Sequence, residues 1–136
     1  MDHLIKNDLN CKLKSFFGYD SFRPGQLEII QYLLNGEDVL AVMPTGAGKS
    51  LCFQLPALIQ NFKTIIISPL VALMNDQTAA LRDLGVEVEL IHSGRDYEEN
   101  AQSWRNFATG DVKILYMSPE RLMQTRMLAA LDSLDI

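Results

Sequence analysis

Met43-Pro44-Thr45-Gly46-Ala47-Gly48-Lys49-Ser50 constrains this chain more than any other stretch, because of what flanks it. Asp38-Val39-Leu40-Ala41-Val42-Met43 before it reads as a buried strand, and Ser50 to Leu55 after it reads as a helix start. A tight Gly-rich turn between strand and helix aims successive backbone N–H groups at one point, where they can cradle an anion. Gly46 and Gly48 supply the backbone freedom and let a phosphate come close with no Cβ in the way. In such a loop Lys49 reaches the terminal phosphates and the Ser50 hydroxyl holds Mg²⁺. The strict pattern asks for Gly where this chain has Met43, and a chance Gly-rich turn is the competing reading.

The rest of the chain alternates strand and helix. Leu4, Leu9, Leu13 and Phe16-Phe17 make an amphipathic helix that Gly18 can end. Pro24 suits the first turn of a second helix carrying Leu27, Ile30, Leu33 and Leu34, closed by Asn35-Gly36. Thr64-Ile65-Ile66-Ile67 is β-branched and reads as a buried strand. Ser68-Pro69 then opens a helix with Leu70, Leu73, Met74, Gln77, Leu81 and Leu84, ended by Gly85. Val86 to Ile91 and Val112 to Met117 are two further strands. Between those two strands lies a helix through Tyr97, Ala101, Trp104 and Ala108 that Thr109-Gly110 stops, and Ser118-Pro119-Glu120 opens one more. This order predicts an α/β fold, a mostly parallel sheet flanked by helices.

Composition sets outer bounds. At 136 residues, 48% apolar and 21% charged, the chain is long enough for one cored domain of ordinary globular make-up. No apolar run approaches the ~18–20 residues of a membrane helix. Asp2, Lys6 and Asp8 interrupt any signal-peptide-like stretch. Cys11, Cys52, His3 and His92 stand apart from one another, so the expectation is free thiols, a reducing compartment and structural roles for all four. A net charge of −5 argues against a broad basic surface for nucleic acid, although helix ends and hydroxyls can hold phosphates without one.

Three more clusters sit where such a fold places ligands. Ser68-Pro69-Leu70 and Ser118-Pro119-Glu120-Arg121 both follow strands, at the carboxyl ends where parallel sheets bind their partners. Plain helix capping by each Ser is the competing reading. Upstream, Phe17-Gly18-Tyr19-Asp20-Ser21-Phe22-Arg23-Pro24-Gly25-Gln26 combines an aromatic, an Arg and a Gln. A Gln amide offers the donor and acceptor that match the edge of adenine. A simple loop between two helices is the alternative.

Together these four clusters resemble the N-terminal part of RecQ-family ATP-dependent DNA helicases of superfamily 2, from about Phe16 onward. The resemblance implies a RecA-like, P-loop NTPase fold. It assigns contacts to the base or its sugar-phosphate to Tyr19, Arg23 and Gln26, and nucleotide contact to Met43, Pro44, Thr45, Gly46, Ala47, Gly48, Lys49, Ser50 and Leu51. Lys49 and Ser50 carry the catalytic roles, with ATP and Mg²⁺ as cofactors. Ser68, Pro69, Leu70, Ser118, Pro119, Glu120 and Arg121 are the implied contacts to single-stranded or partly duplex DNA, made mainly through its backbone. Residues 1–36 are then a helical segment with the adenine-recognition motif, and 37–136 a partial ATP-binding helicase domain. A 3′-to-5′ motor in DNA repair or recombination, cytoplasmic and nucleoid-associated or nuclear, is the implied setting, with no membrane.

The family continues into a strand ending in Asp-Glu-Ala-His, whose Asp helps hold Mg²⁺ and whose Glu orients the attacking water. No such motif occurs here, and Asp132-Ser133-Leu134-Asp135-Ile136 has the wrong acidic spacing to replace it. The expectation is an incomplete domain, a fragment lacking its second motor domain, inactive alone and with an open sheet edge that favours aggregation. A non-catalytic nucleotide- or DNA-binding module, a natural short form or competitor, is the alternative. An unrelated P-loop kinase or transporter ATPase fits the upstream cluster and Ser118-Pro119-Glu120-Arg121 poorly.

Overall fold

The computed structural model describes residues 2–136, with side chains from Ile5 onward. The expectations for the His3 and Leu4 side chains lie outside the described residues. The chain forms two compact units that divide after Gln60.

The first unit holds three helices: α1 (Asp2–Phe17), α2 (Gln26–Leu34) and α3 (Leu51–Ile59). Gly18, at φ 77, ends α1 as its glycine implies, with its N–H on the Lys14 carbonyl. Leu9 and Leu13 of α1 close on Ile30 of α2 and on Leu51 and Leu55 of α3, with Phe16, Phe17 and Phe22 packed around them. Pro24 differs from expectation. It lies in a turn closed by the Gln26 N–H on the Arg23 carbonyl, before the helix begins, and Gly25 at φ 85 supplies the positive φ of the third position. Pro-Gly is the natural pair for the centre of that kind of turn.

Asp38–Met43 corrects a larger expectation. It forms no strand, and its Leu40 and Val42 are 93% and 90% exposed. A strand must place its N–H and C=O groups on a neighbour. Among the described residues none pairs with this segment, so a run of apolar residues alone did not make it a strand.

The second unit is built on three parallel strands, β1 (Thr64–Ile67), β2 (Val88–Ile91) and β3 (Ile114–Met117), in the order β1-β3-β2. Ile67 and Ile91 both stand level with Met117. The central β3 is buried throughout. β1 lies at an edge and is only half-buried, with Ile67 exposed, so the fully buried strand expected there is not found. Helices α4 (Val71–Asp83) and α5 (Tyr97–Thr109) pack on β2, and the short α6 (Pro119–Leu122) and α7 (Thr125–Leu131) follow β3.

Alternation along β3 assigns the two helices to opposite faces. Leu115 and Met117 join Ile91, Val112 and Phe107 of α5 in one apolar cluster, flanked by Trp104 and Leu122. Tyr116 points the other way and donates its hydroxyl to Gln77 of α4 at 2.8 Å. The buried stripe of α4 is Met74, Thr78 and Leu81. The apolar positions Leu70, Leu73 and Leu84 are exposed, outside that i, i+4, i+7 stripe. Asp96 starts α5 with a reciprocal capping box, its carboxylate accepting from the Glu99 N–H while Glu99 accepts from the Asp96 N–H.

Candidate nucleotide site and strand-end face

The Gly-rich loop is shaped by two side chains that come from far upstream. Arg23 donates through Nη1 to the Gly46 carbonyl at 2.6 Å. Gln26, 3% exposed, donates through Nε2 to the Gly48 carbonyl at 2.9 Å and accepts from the Arg23 N–H at 2.8 Å. Arg23 and Gln26, two of the three adenine-recognition candidates, therefore form one hydrogen-bonded assembly with the phosphate loop. Within the loop the Ala47 N–H returns to the Pro44 carbonyl, and Gly46, at φ 83, takes the third turn position. Gly48, at φ 79, has a backbone that side-chain-bearing residues rarely adopt, and a Cβ there would push against the Gln26 amide.

With the Gly46 and Gly48 carbonyls held by side chains, the N–H groups of Gly46, Gly48, Lys49 and Ser50 donate to no acceptor among the described residues. That is the arrangement an anion-binding nest requires. Ser50 precedes α3 without capping it by a side-chain bond, which leaves its hydroxyl available. Lys49 is exposed. Open space around Gly46 and donors without acceptors fit the polyphosphate of a nucleotide. Cys52 is buried under the loop, and burial pushes its thiol pKa up, keeping it a neutral weak donor to the Gly48 carbonyl.

Beside the loop lies a hollow of about 180 Å³ lined by Phe17, Tyr19, Arg23, Gln26, Ser50 and Gln54, among others. It is smaller than the ~300–1,000 Å³ of a complete ligand pocket, a size for one end of a nucleotide. Tyr19 stands 57% exposed at this hollow. Gln54 is the residue that sequence reasoning missed here. Its signal was present, because it follows Ser50 by one helical turn and so shares that face of α3. Met43, Pro44, Thr45, Ala47 and Leu51 belong to the loop and helix start as placed, though only Leu51 also lines the hollow. A larger hollow of about 560 Å³, between Arg82, Glu87, Asn106 and Asp111, lies at the amino ends of β2 and β3 and contains no candidate residue.

In the second unit, the carboxyl ends of all three strands meet. The Ser68 N–H donates to the Met117 carbonyl and the Ser118 N–H to the Ile91 carbonyl, both at 3.2 Å. Ser68-Pro69-Leu70 and Ser118-Pro119-Glu120-Arg121 are thereby brought together on one strand-end face. Neither Ser caps its helix as the capping alternative required. Ser68 accepts from the Leu70 N–H ahead of α4, and Ser118 precedes α6 with no side-chain cap bond. Leu70 is 60% exposed and Glu120 is exposed, while Pro119 and Arg121 are half-buried. Among the described residues there is no cluster of potential metal ligands, and no helix long and apolar enough to cross a membrane.

Residues 23–135 match the model of the DEAD/DEAH box helicase family, a span that includes the loop, its upstream latch and both strand-end segments. The chain belongs to that family. Within it, the chain is similar to an ATP-dependent DNA helicase RecQ of Haemophilus influenzae, 49% identical over 111 residues, covering 82% of this chain and 18% of that protein. An ATP-dependent DNA helicase Q-like 5 of Arabidopsis thaliana is 44% identical over 122 residues, covering 90% of this chain and 13% of its own length. The chain thus spans less than a fifth of the length of these relatives. The RecA-like helicase fold is shared with the crystal structure of a hypothetical ATP-dependent RNA helicase from Sulfolobus tokodaii, with a TM-score of 0.72 at 22% identity, covering 93% of this chain and 38% of that one.

Proposed function

We propose that this chain binds Mg²⁺·ATP as the nucleotide-binding part of an ATP-dependent DNA helicase of the RecQ kind. The supporting observation is the double latch of Arg23 and Gln26 on the Gly46 and Gly48 carbonyls, in a loop whose Gly46, Gly48, Lys49 and Ser50 N–H groups have no acceptor among the described residues. Lys49 meets the β- and γ-phosphates, Ser50 holds the metal, and Tyr19, Arg23 and Gln26 lie beside the base or its sugar. Mg²⁺ when bound neutralises charge on the phosphate oxygens. The strand-end segments at Ser68 and Ser118 hold single-stranded or partly duplex DNA by its backbone, as suits a motor that moves 3′ to 5′ without reading sequence. A second motor domain completes the ATPase, and repair or recombination in the bacterial cytoplasm or the nucleus is the setting.

Calorimetric titration with Mg²⁺·ATP, run beside Lys49→Ala, tests the reading. Loss of one charge-assisted contact lowers affinity by roughly tenfold or more. Equal affinity in the two proteins, or no saturable heat in either, would overturn it.

A further inference from the structure

The loop from Ser21 to Gly25 borders two hollows. Ser21 and Arg23 line the one of about 180 Å³ next to the Gly-rich loop, and they also line a second of about 470 Å³. The second is walled by α1, α2 and the loop between them, and its volume falls within the ~300–1,000 Å³ of a ligand pocket. No residue of the Gly-rich loop lines it. Phe22, Pro24 and Leu27 give it an apolar surface.

Four polar side chains line it as well: Lys6 and Asn10 from α1, Glu28 and Gln31 from α2. Helical spacing puts each pair on one face, the first at i, i+4 and the second at i, i+3. None of the four has a side-chain hydrogen bond or an ion pair among the described residues. Lys6 and Glu28 are exposed and of opposite charge, yet they do not pair with each other. Asn10 and Gln31 are half-buried, and polar groups withdrawn from water are paired in most proteins. An amide side chain presents the same donor and acceptor as a peptide group, so two of them suit the main chain of an extended segment. Unpaired charges of both signs at one hollow match a ligand that carries both.

We propose that this hollow docks an extended peptide segment of a partner protein, with an acidic side chain at Lys6, a basic one at Glu28 and main-chain groups on Asn10 and Gln31. The surface of Phe22, Pro24 and Leu27 takes an apolar side chain between the two charges. Occupancy is felt at the nucleotide. The loop that walls the hollow carries Arg23, whose side chain holds the Gly46 carbonyl and whose N–H holds Gln26 in its latch on Gly48. A segment packed against Pro24 and Gly25 braces that loop and so tightens nucleotide binding, and the two affinities are linked reciprocally. The coupling rests on the nucleotide reading above; the docking site does not.

Three end-blocked peptides serve as probes, each with one glutamate and one lysine separated by one, two or three leucines. Each is titrated into the ¹⁵N-labelled chain, and Mg²⁺·ATP is titrated by calorimetry with and without saturating peptide. The expected result is a saturable amide shift with at least one probe, confined to the residues around 6–10 and 21–31. Lys6→Gln and Glu28→Gln each weaken that probe about threefold, as loss of an exposed ion pair does. Bound peptide tightens Mg²⁺·ATP about fivefold. No saturable shift with any probe, or equal binding of a control with glutamine at both charged positions, overturns the docking site and leaves the nucleotide reading standing. Shifts that appear on concentrating the chain without peptide assign the hollow to a second copy and overturn it too. Peptide binding with unchanged ATP affinity overturns the coupling. Absence of ATP binding in every titration overturns the nucleotide reading and the coupling with it, while the shifts still decide the docking.

Discussion

The amide of Gln26 is committed twice over inside the protein, to the Arg23 N–H and to the Gly48 carbonyl. Each end still has one hydrogen or one lone pair to spare for a base. A purely base-reading Gln would lose ATP affinity on truncation and leave inorganic triphosphate alone. Because this one also braces the loop, Gln26→Ala should weaken both ligands, ATP by more, in paired calorimetric titrations. Unchanged triphosphate affinity would show that the brace is dispensable.

His92 makes a second residue-level prediction, for pH. Its folded pKa is depressed, so as pH falls through about 6.5 the unfolded chain takes up the proton first and stability declines toward the folded value. Urea midpoints at about pH 7.5 and about pH 5.5 should therefore separate less in His92→Phe than in the parent. The Gly-rich loop around Lys49 and Ser50 stood out in the sequence because its motif is local. The hydrogen bonds of Gln26 and the burial of His92 did not, because they depend on partners that only the folded chain defines.

At the scale of elements, helix boundaries followed their local chemistry closely. Gly18 ends α1, Asn35-Gly36 ends α2, and Asp96 with Glu99 starts α5. Asp96→Ala removes one side of that box and should cost about 1 kcal/mol of stability in denaturant unfolding. An unchanged midpoint would mean that packing of Phe107 alone holds the helix. Strands were read less well, for a physical reason. Thr64–Ile67 and Ile114–Met117 are equally apolar, yet one lies at an edge and the other at the centre. Periodicity reports a strand's preference for burial and is silent on its neighbours. Asp38–Met43 shows the limit of that signal, since it has the pattern of a strand and no partner.

For the whole molecule, the parallel α/β architecture and the family were legible from the order of elements and the four clusters. The exposure of Leu40 and Val42 was not, and it carries a consequence. An exposed apolar segment whose N–H and C=O groups join no strand of the sheet can become a template for another chain. Leu40→Lys with Val42→Lys should lower light scattering of concentrated protein without lowering its melting temperature. Unchanged scattering would place the source of self-association elsewhere, and a lower melting temperature would show that these side chains pack after all.

The order β1-β3-β2 also bears on how the molecule comes into being. The strand that joins the other two is the last to be translated. A ribosome therefore delivers two flanking strands that cannot pair with each other, and each waits with its edge open until β3 arrives between them. Pairing in this sheet therefore waits until β3 has been made and released between its two neighbours.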